Sequence, residues 1–257
     1  MSSPLPTDAS TYLIRVINKH KSTGVHFFDP RLTEVKNVIR RWAGDQLASL
    51  DLSGSVKKGT AIKGRSDCDL FISLKANTKN TLGEIYDSLF NALAAAGFQP
   101  RRQNVSIGIR KNGLDIDLVP AKRHPGYLNR HSLHVRNGGT WTQTNVQTHI
   151  NQVKNSGRTR EIILTKIWCK RHGLKFPSIV LELAVIRALH GKWTYNTAAN
   201  FKTVLEYLSN QFATARLVDP SNTNNVVSQS LSAAEKRAIV NQARVSLRNS
   251  NWNKVVW

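Results

Sequence analysis

Gly54-Ser55-Val56-Lys57-Lys58-Gly59-Thr60-Ala61-Ile62-Lys63-Gly64-Arg65-Ser66-Asp67-Cys68-Asp69-Leu70 is a basic, glycine-punctuated stretch ending in two aspartates. From Asp67 to Leu74 the chain alternates and then turns apolar, as a partly buried strand does. On such a strand Asp67 and Asp69, at i and i+2, share one face roughly 6 to 7 Å apart at the backbone. Like charges that close are costly without a counter-ion, and the spacing suits a bridging divalent cation. Leu114-Asp115-Ile116-Asp117-Leu118-Val119 reads as a second strand that can add a third carboxylate from the same sheet. Two cations about 3.5 to 4 Å apart need such a cluster to align an attacking and a leaving oxygen. Upstream, Gly54-Ser55 lets backbone N–H groups and a hydroxyl approach phosphate oxygens with no Cβ in the way. Gly54-x4-Gly59 nearly matches a P-loop, but Thr60 stands where the phosphate lysine is required, which argues against a P-loop NTPase.

Outward from this stretch, residues 7–50 carry apolar positions at helical spacing, running on to Leu47 and broken into two helices at Asp29-Pro30. Leu52-Ser53-Gly54-Ser55 reads as a turn. An amphipathic helix is expected over 81–96, ended by Gly97, and the strands 105–109 and 114–119 are joined by a Lys111-Asn112-Gly113 turn. Residues 122–139, rich in His, Arg, Asn and Gly, read as a long surface connection. Helices follow over 145–155, 158–172, 178–190, 198–210 and from Ser232 to about Arg248, the last opened by a Ser232…Glu235 capping box. The expected architecture is α+β, with a mixed-sheet lobe over 1–145 and a helical lobe over 146–257.

The 257 residues include 37 Lys+Arg against 16 Asp+Glu, a formal net charge of +21, and 40% hydrophobic residues, enough for a packed core rather than a disordered basic tail. So many uncompensated cations point to a polyanion, usually phosphate, as working partner. Basic pairs recur at Arg40-Arg41, Lys57-Lys58, Arg101-Arg102, Lys122-Arg123 and Lys170-Arg171. No apolar run approaches a membrane span, and the N-terminal residues lack an apolar signal core, so a cytoplasmic location without membrane contact is expected. Cys68 and Cys169, far apart in apolar surroundings, imply neither a disulfide partner nor a cysteine-rich zinc module. His124, His131, His134 and His149 are spaced too loosely for zinc and read as ordinary loop histidines. Trp168 and Trp193 read as core, Trp252 and Trp257 as anchors of the C-terminal tail, and Trp141 either as a base-stacking ring or as packing.

Gly54-Ser55, Gly59-Thr60, Asp67-x-Asp69 and Asp117-Leu118-Val119-Pro120-Ala121 together resemble the signature of the DNA polymerase β-like nucleotidyltransferases. The wording from Lys58 to Leu70 is most similar to 2'-5'-oligoadenylate synthetases and their bacterial relatives, the cGAS/DncV-like nucleotidyltransferases (CD-NTases); archaeal-type CCA-adding enzymes are similar but further off. The resemblance spans roughly residues 35–245 and implies a two-lobed nucleotidyltransferase with the donor NTP, ATP first, in the cleft. It further implies that Asp67, Asp69 and Asp117 are catalytic and hold two Mg²⁺ or Mn²⁺ ions, that Gly54 and Ser55 bind the triphosphate, and that Lys166 and Ser178 reach the donor phosphates from the helical lobe. Asp115 is a near neighbour of Asp117, which is preferred because it directly precedes the Leu-Val-Pro-Ala segment. A solvated helix face is the competing reading of Lys166. Ile179 stands where several relatives place a stacking tyrosine, and no zinc thumb is present.

The expected activity is attack of a ribose hydroxyl on the α-phosphate of an NTP with release of pyrophosphate. A synthase of short linear or cyclic oligonucleotide signals, of the antiviral defence type, comes first; template-independent addition of nucleotides to RNA 3' ends comes second. A catalytically dead basic RNA-binding module comes third, and retention of the acids argues against it. The charge beyond what an NTP needs makes RNA a further expected partner, double-stranded RNA as activator or RNA as acceptor.

Overall fold

In a computed structural model, residues 6–22, 25–64, 68–193 and 195–257 are described. They group into two compact units, one made of Thr23–Lys58 and Ser66–Ile150, the other of Met1–Ser22, Gly59–Arg65 and Asn151–Trp257. The fold is mixed α and β, as expected.

The first unit is built on one seven-stranded sheet. Its strands are β1 (Leu47–Leu52), β2 (Cys68–Leu74), β3 (Arg101–Arg102), β4 (Ile107–Lys111), β5 (Leu114–Arg123), β6 (His131–Val135) and β7 (Thr140–Thr144). The order is β1-β2-β5-β4-β3, with β6 pairing the end of β5 and β7 pairing β6. Among the described strands only β2 and β5 run parallel, and the crossover this requires holds a helix. That helix covers Leu82–Ala95; a Thr81–Glu84 capping box starts it and Gly97, at φ +83°, follows its end. Together with the helix Thr33–Ala43 it buries Val35, Ile39, Ile85 and Leu89 against Cys68, Leu70, Ile72, Ile116 and Leu118. Side chains alternate across a strand, so Asp69, Phe71 and Ser73, and Asp117, Val119 and Ala121, take the other face.

Two segments differ from expectation. Leu47–Leu52 is a strand rather than the end of a helix; its leucines continue the helical spacing, but pairing with β2 settles its form. Residues 122–139 are not a loop, since β5 runs on to Arg123 and β6 and β7 form a second hairpin. Their polar composition hides this because only alternate positions, His131 and Leu133, are buried.

The second unit packs helices α1 (Pro6–His20), α6 (Thr159–Arg171), α7 (Ser178–Ala188), α8 (Thr197–Asn210) and α9 (Ala233–Leu247) around Leu13, Ile163, Trp168, Val185, Phe201 and Leu208. Helix α5 (Val146–Asn155) contains the division, which falls after Ile150. A capping box joins Ser232 and Glu235. The units are not consecutive halves of the chain: α1 and residues 59–64, expected with the sheet, belong to the helical unit. Ser22 N donates to Ala61 O at 3.0 Å and Lys63 N to His20 O at 2.8 Å, an antiparallel bridge of two backbones. Trp193, expected in the core, is 80% exposed. No helix among the described residues is long and apolar enough to cross a membrane.

The helical unit also encloses an ion pair. Lys166 Nζ lies 3.2 Å from Glu182 Oε1 and donates to Thr60 Oγ1 at 3.0 Å, with both charged groups buried. Removing one partner of a buried pair costs about 3–5 kcal/mol, whereas replacing both by apolar groups is often neutral. Glu182→Ala should therefore destabilise the chain by an amount in that range, and Lys166→Met with Glu182→Leu should recover most of it. Chemical denaturation of the unaltered chain and the two variants checks this; a double variant no better than Glu182→Ala would refute the pairing.

Candidate functional site

Register decides which acids meet. In the parallel β2–β5 pair Asp69 is opposite Asp117, so two carboxylates face the same way from backbones about 4.8 Å apart. Asp115 lies on the same face but pairs across β4 with Arg110, and its Oδ1 is 3.5 Å from Arg101. Asp67 lies outside the described residues. Among the described residues no group of three or more potential metal-ligating side chains is assembled.

Two glycines make room for these acids. Gly54 opens a short helix, α3 (Gly54–Lys58), and holds φ +59°. Ser53 N donates to Asp69 O at 2.8 Å, which presses the helix start against β2. A Cβ on Gly54 would lie 1.7 Å from Asp69 Oδ2. On β4, Gly108 is opposite Asp117, and a Cβ there would lie 3.2 Å from Asp117 Oδ1 and 2.7 Å from Gln103 Nε2. Gln103 Nε2 donates to Asp117 Oδ1 at 3.0 Å. Carboxylates cradled this closely form a hard-oxygen donor set of the kind Mg²⁺ and Mn²⁺ take, so the residues present fit a divalent cation. Ser55, half-buried, is the next residue after Gly54 in α3. No local sequence pattern marks Gln103; its one signal is a glycine inside a strand pattern, at 108.

The same sheet face continues into a cavity of about 220 Å³ lined by Ser49, Asp51, Lys57, Phe71, Arg123 and His131 among others. Arg123 Nε donates to Ser73 Oγ at 2.9 Å, and Ser73 Oγ is 2.9 Å from His131 Nε2. His131 Nδ1 faces Asn129 O at 3.2 Å, which assigns the proton to Nδ1 and leaves Nε2 to accept from the serine. Burial pulls the His131 pKa down from 6.5 to about 4, the nearby Arg123 charge adding to it. His131 is thus a structural histidine of the sheet, not a loop residue.

In the helical unit, Lys166 is not on a solvated face: it is enclosed with Glu182 and Thr60. Ser178 is exposed in the first turn of α7, and Ile179 packs on the core. Gly59 and Thr60 therefore belong with Lys166, while Gly54 and Ser55 belong with Asp69.

Residues 32–123, which contain α3 and the Asp69–Asp117 pair, match the family "Nucleotidyltransferase domain". The chain is 22% identical over 232 residues to a cyclic AMP-AMP-AMP synthase of Escherichia coli (strain MS 115-1), covering 74% of this chain and 72% of the relative. The structure of E. coli MS115-1 CdnC with ATP is similar with a TM-score of 0.71 at 20% identity, over 92% of this chain and 89% of that one. Cid1 poly(U) polymerase bound to MgATP is also similar, with a TM-score of 0.65 at 14% identity over 96% and 95% of the two chains.

The close approach at Gly54 and the neutral state of His131 are both measurable. Gly54 and Gly59 each hold positive φ, +59° and +73°, but of the two only Gly54 meets an obstacle, since no described residue lies within 4 Å of a Cβ on Gly59. Gly59→Ala should cost only backbone strain, about 1–2 kcal/mol, and Gly54→Ala clearly more; equal losses in thermal unfolding would refute the contact. Because folding lowers the His131 pKa, the neutral ring's contribution is whole above pH 6.5 and is lost as pH falls toward 4. His131→Phe should lose less stability than the unaltered chain over that interval, and identical pH profiles would contradict the assignment.

Proposed function

We propose that the chain, whose residues 32–123 match a nucleotidyltransferase domain and whose fold is similar to that of CdnC, is a metal-dependent synthase that joins NTPs, ATP first, into short linear or cyclic oligonucleotide signals of antiviral defence. The observation that carries the reading is the register of Asp69 with Asp117 beside Gly54-Ser55. In this reading Asp67, Asp69 and Asp117 hold two Mg²⁺ or Mn²⁺ ions. Bound cations of this kind offset charge on the triphosphate and on the attacking and leaving oxygens. Gly54 and Ser55 hold the donor phosphates through the open backbone and the hydroxyl, and Ser178 and Lys166 are assigned to the same phosphates, Lys166 after exchanging its bond to Glu182. Asp117 orients the acceptor hydroxyl and draws on its proton. The hydroxyl oxygen bonds to the α-phosphorus, the α–β phosphoanhydride bond breaks, and pyrophosphate leaves. Rate comes from position and charge, with no covalent intermediate on the protein. In this reading the protein works in the cytoplasm, where its NTP substrates are.

A second reading, addition of nucleotides to RNA 3' ends, is supported by the similarity to Cid1 and by the net charge of +21. Labelled ATP with Mg²⁺ or Mn²⁺, with and without single- or double-stranded RNA, separates the two: small labelled products, with any RNA unmodified, are expected. Label found only on RNA would replace the first reading by the second. Asp69→Asn and Asp117→Asn should each cut pyrophosphate release at least a hundredfold while unfolding near the temperature of the unaltered chain, and turnover by both would sink the site. RNA affinity, measured at two salt concentrations, should fall steeply with salt as counterions are released.

A further inference from the structure

Asp117 is held from the side as well as opposed from the front. Its Oδ1 accepts from Gln103 Nε2 at 3.0 Å, and a carboxylate can only accept, so the amide must present its NH₂ group there. At the other end of the amide, Gln103 Oε1 then accepts from Ser106 Oγ. The backbone of Gln103 is pinned too. Its N–H donates to Ser106 O at 3.0 Å and lies 3.0 Å from the Tyr86 hydroxyl, which in turn sits 2.9 Å from the carbonyl oxygens of Gln103 and Ser106. Tyr86 is 1% exposed, with His134 packed on its ring. The amide therefore reaches Asp117 from a backbone tied at both its N–H and its carbonyl.

The strand is shaped for this bond. Gly108 has no positive φ to explain it, and glycine weakens a strand interior. Its reason is space: a Cβ there would lie 2.7 Å from Gln103 Nε2. We propose that Gln103 is a positioning residue that sets the rotation of the Asp117 carboxylate toward Asp69, and through it the affinity of this site for a divalent cation. The inference rests on the metal-dependent reading above. Partners that orient a metal ligand typically change affinity about 10–100-fold when removed.

A purely structural role, tying the 103–106 turn to β5, would lower stability and leave cation affinity alone. The test compares the unaltered chain with Gln103→Leu, which keeps the volume and loses the donor, and with Ser106→Ala, which keeps the donor and loosens it. Mn²⁺ binding is followed by electron paramagnetic resonance with and without a non-hydrolysable ATP analogue, alongside thermal unfolding, the KM for ATP at saturating metal and the metal concentration giving half-maximal rate. Gln103→Leu should bind Mn²⁺ 10–100-fold more weakly and need correspondingly more metal, with an unchanged KM for ATP once metal saturates; Ser106→Ala should fall between. A folded Gln103→Leu with unchanged Mn²⁺ affinity overturns the positioning role while leaving the metal site standing. If Gln103→Leu does not fold, Ser106→Ala decides alone, unchanged affinity again overturning the role. An unaltered chain that binds Mn²⁺ no better than Asp117→Asn overturns the metal reading itself, and this inference with it.

Discussion

Two carboxylates set opposite each other in a parallel sheet repel unless their charge is offset. The register of β2 with β5 nonetheless holds Asp69 against Asp117. Much around that pair follows from it. Gly54 leaves space at Asp69 Oδ2, Gly108 leaves space at Asp117 Oδ1, and Gln103 brings a donor to the latter. The apolar half of the sheet supplies the stiffness. Cys68, Leu70, Ile116 and Leu118, on the reverse of the same strands, are wholly buried under two helices, so the acids cannot drift apart without disrupting the core.

The strands that carry the acids could be read from the chain because burial alternates along them. In β5 buried residues alternate with half-buried ones from Leu114 to Pro120, and the side chains that break the apolar pattern are the aspartates themselves. The helices of the second unit were equally plain in their apolar spacing, and the Ser232–Glu235 capping box marks the start of the last. What escaped was whatever depends on a partner distant in sequence. Leu47–Leu52 has leucines that suit a helix as well as a strand, and only the presence of β2 beside it decides. β6 keeps a histidine at an inward position, which is comfortable there because Ser73, 58 residues away, bonds to it. Lys166 sits in a helix whose residues 161–169 are all buried, and no local pattern could say that Glu182 lies across from it. Gln103 belongs to the same class, being meaningful only once Asp117 is beside it.

The glycine-rich stretch that looks like one motif in the sequence is divided in space. Residues 54–58 take their support from β2, and residues 59–64 take theirs from the backbone after α1 and from the side chains of α6: Thr60 on Lys166, and Lys63 O on Lys170 Nζ at 2.8 Å. A local sequence signature therefore contains two structural commitments, one to the sheet and one to the helices. That explains why Gly59-Thr60 accompanies Gly54-Ser55 without sharing its surroundings.

The helical unit takes its first helix from the start of the chain and the rest from the far end. Helix α1 packs against α6 and α8, yet 138 residues separate His20 from Thr159. On a ribosome adding about 5–20 residues per second, α1 would wait on the order of 7–30 s for its partners. During that time Leu13, Val16 and Ile17 have no core to enter, while the sheet, a continuous run apart from residues 59–65, can already close. Vectorial synthesis thus gives the two units different birth dates, and the acid-bearing sheet is complete before the helices that share the chain with it.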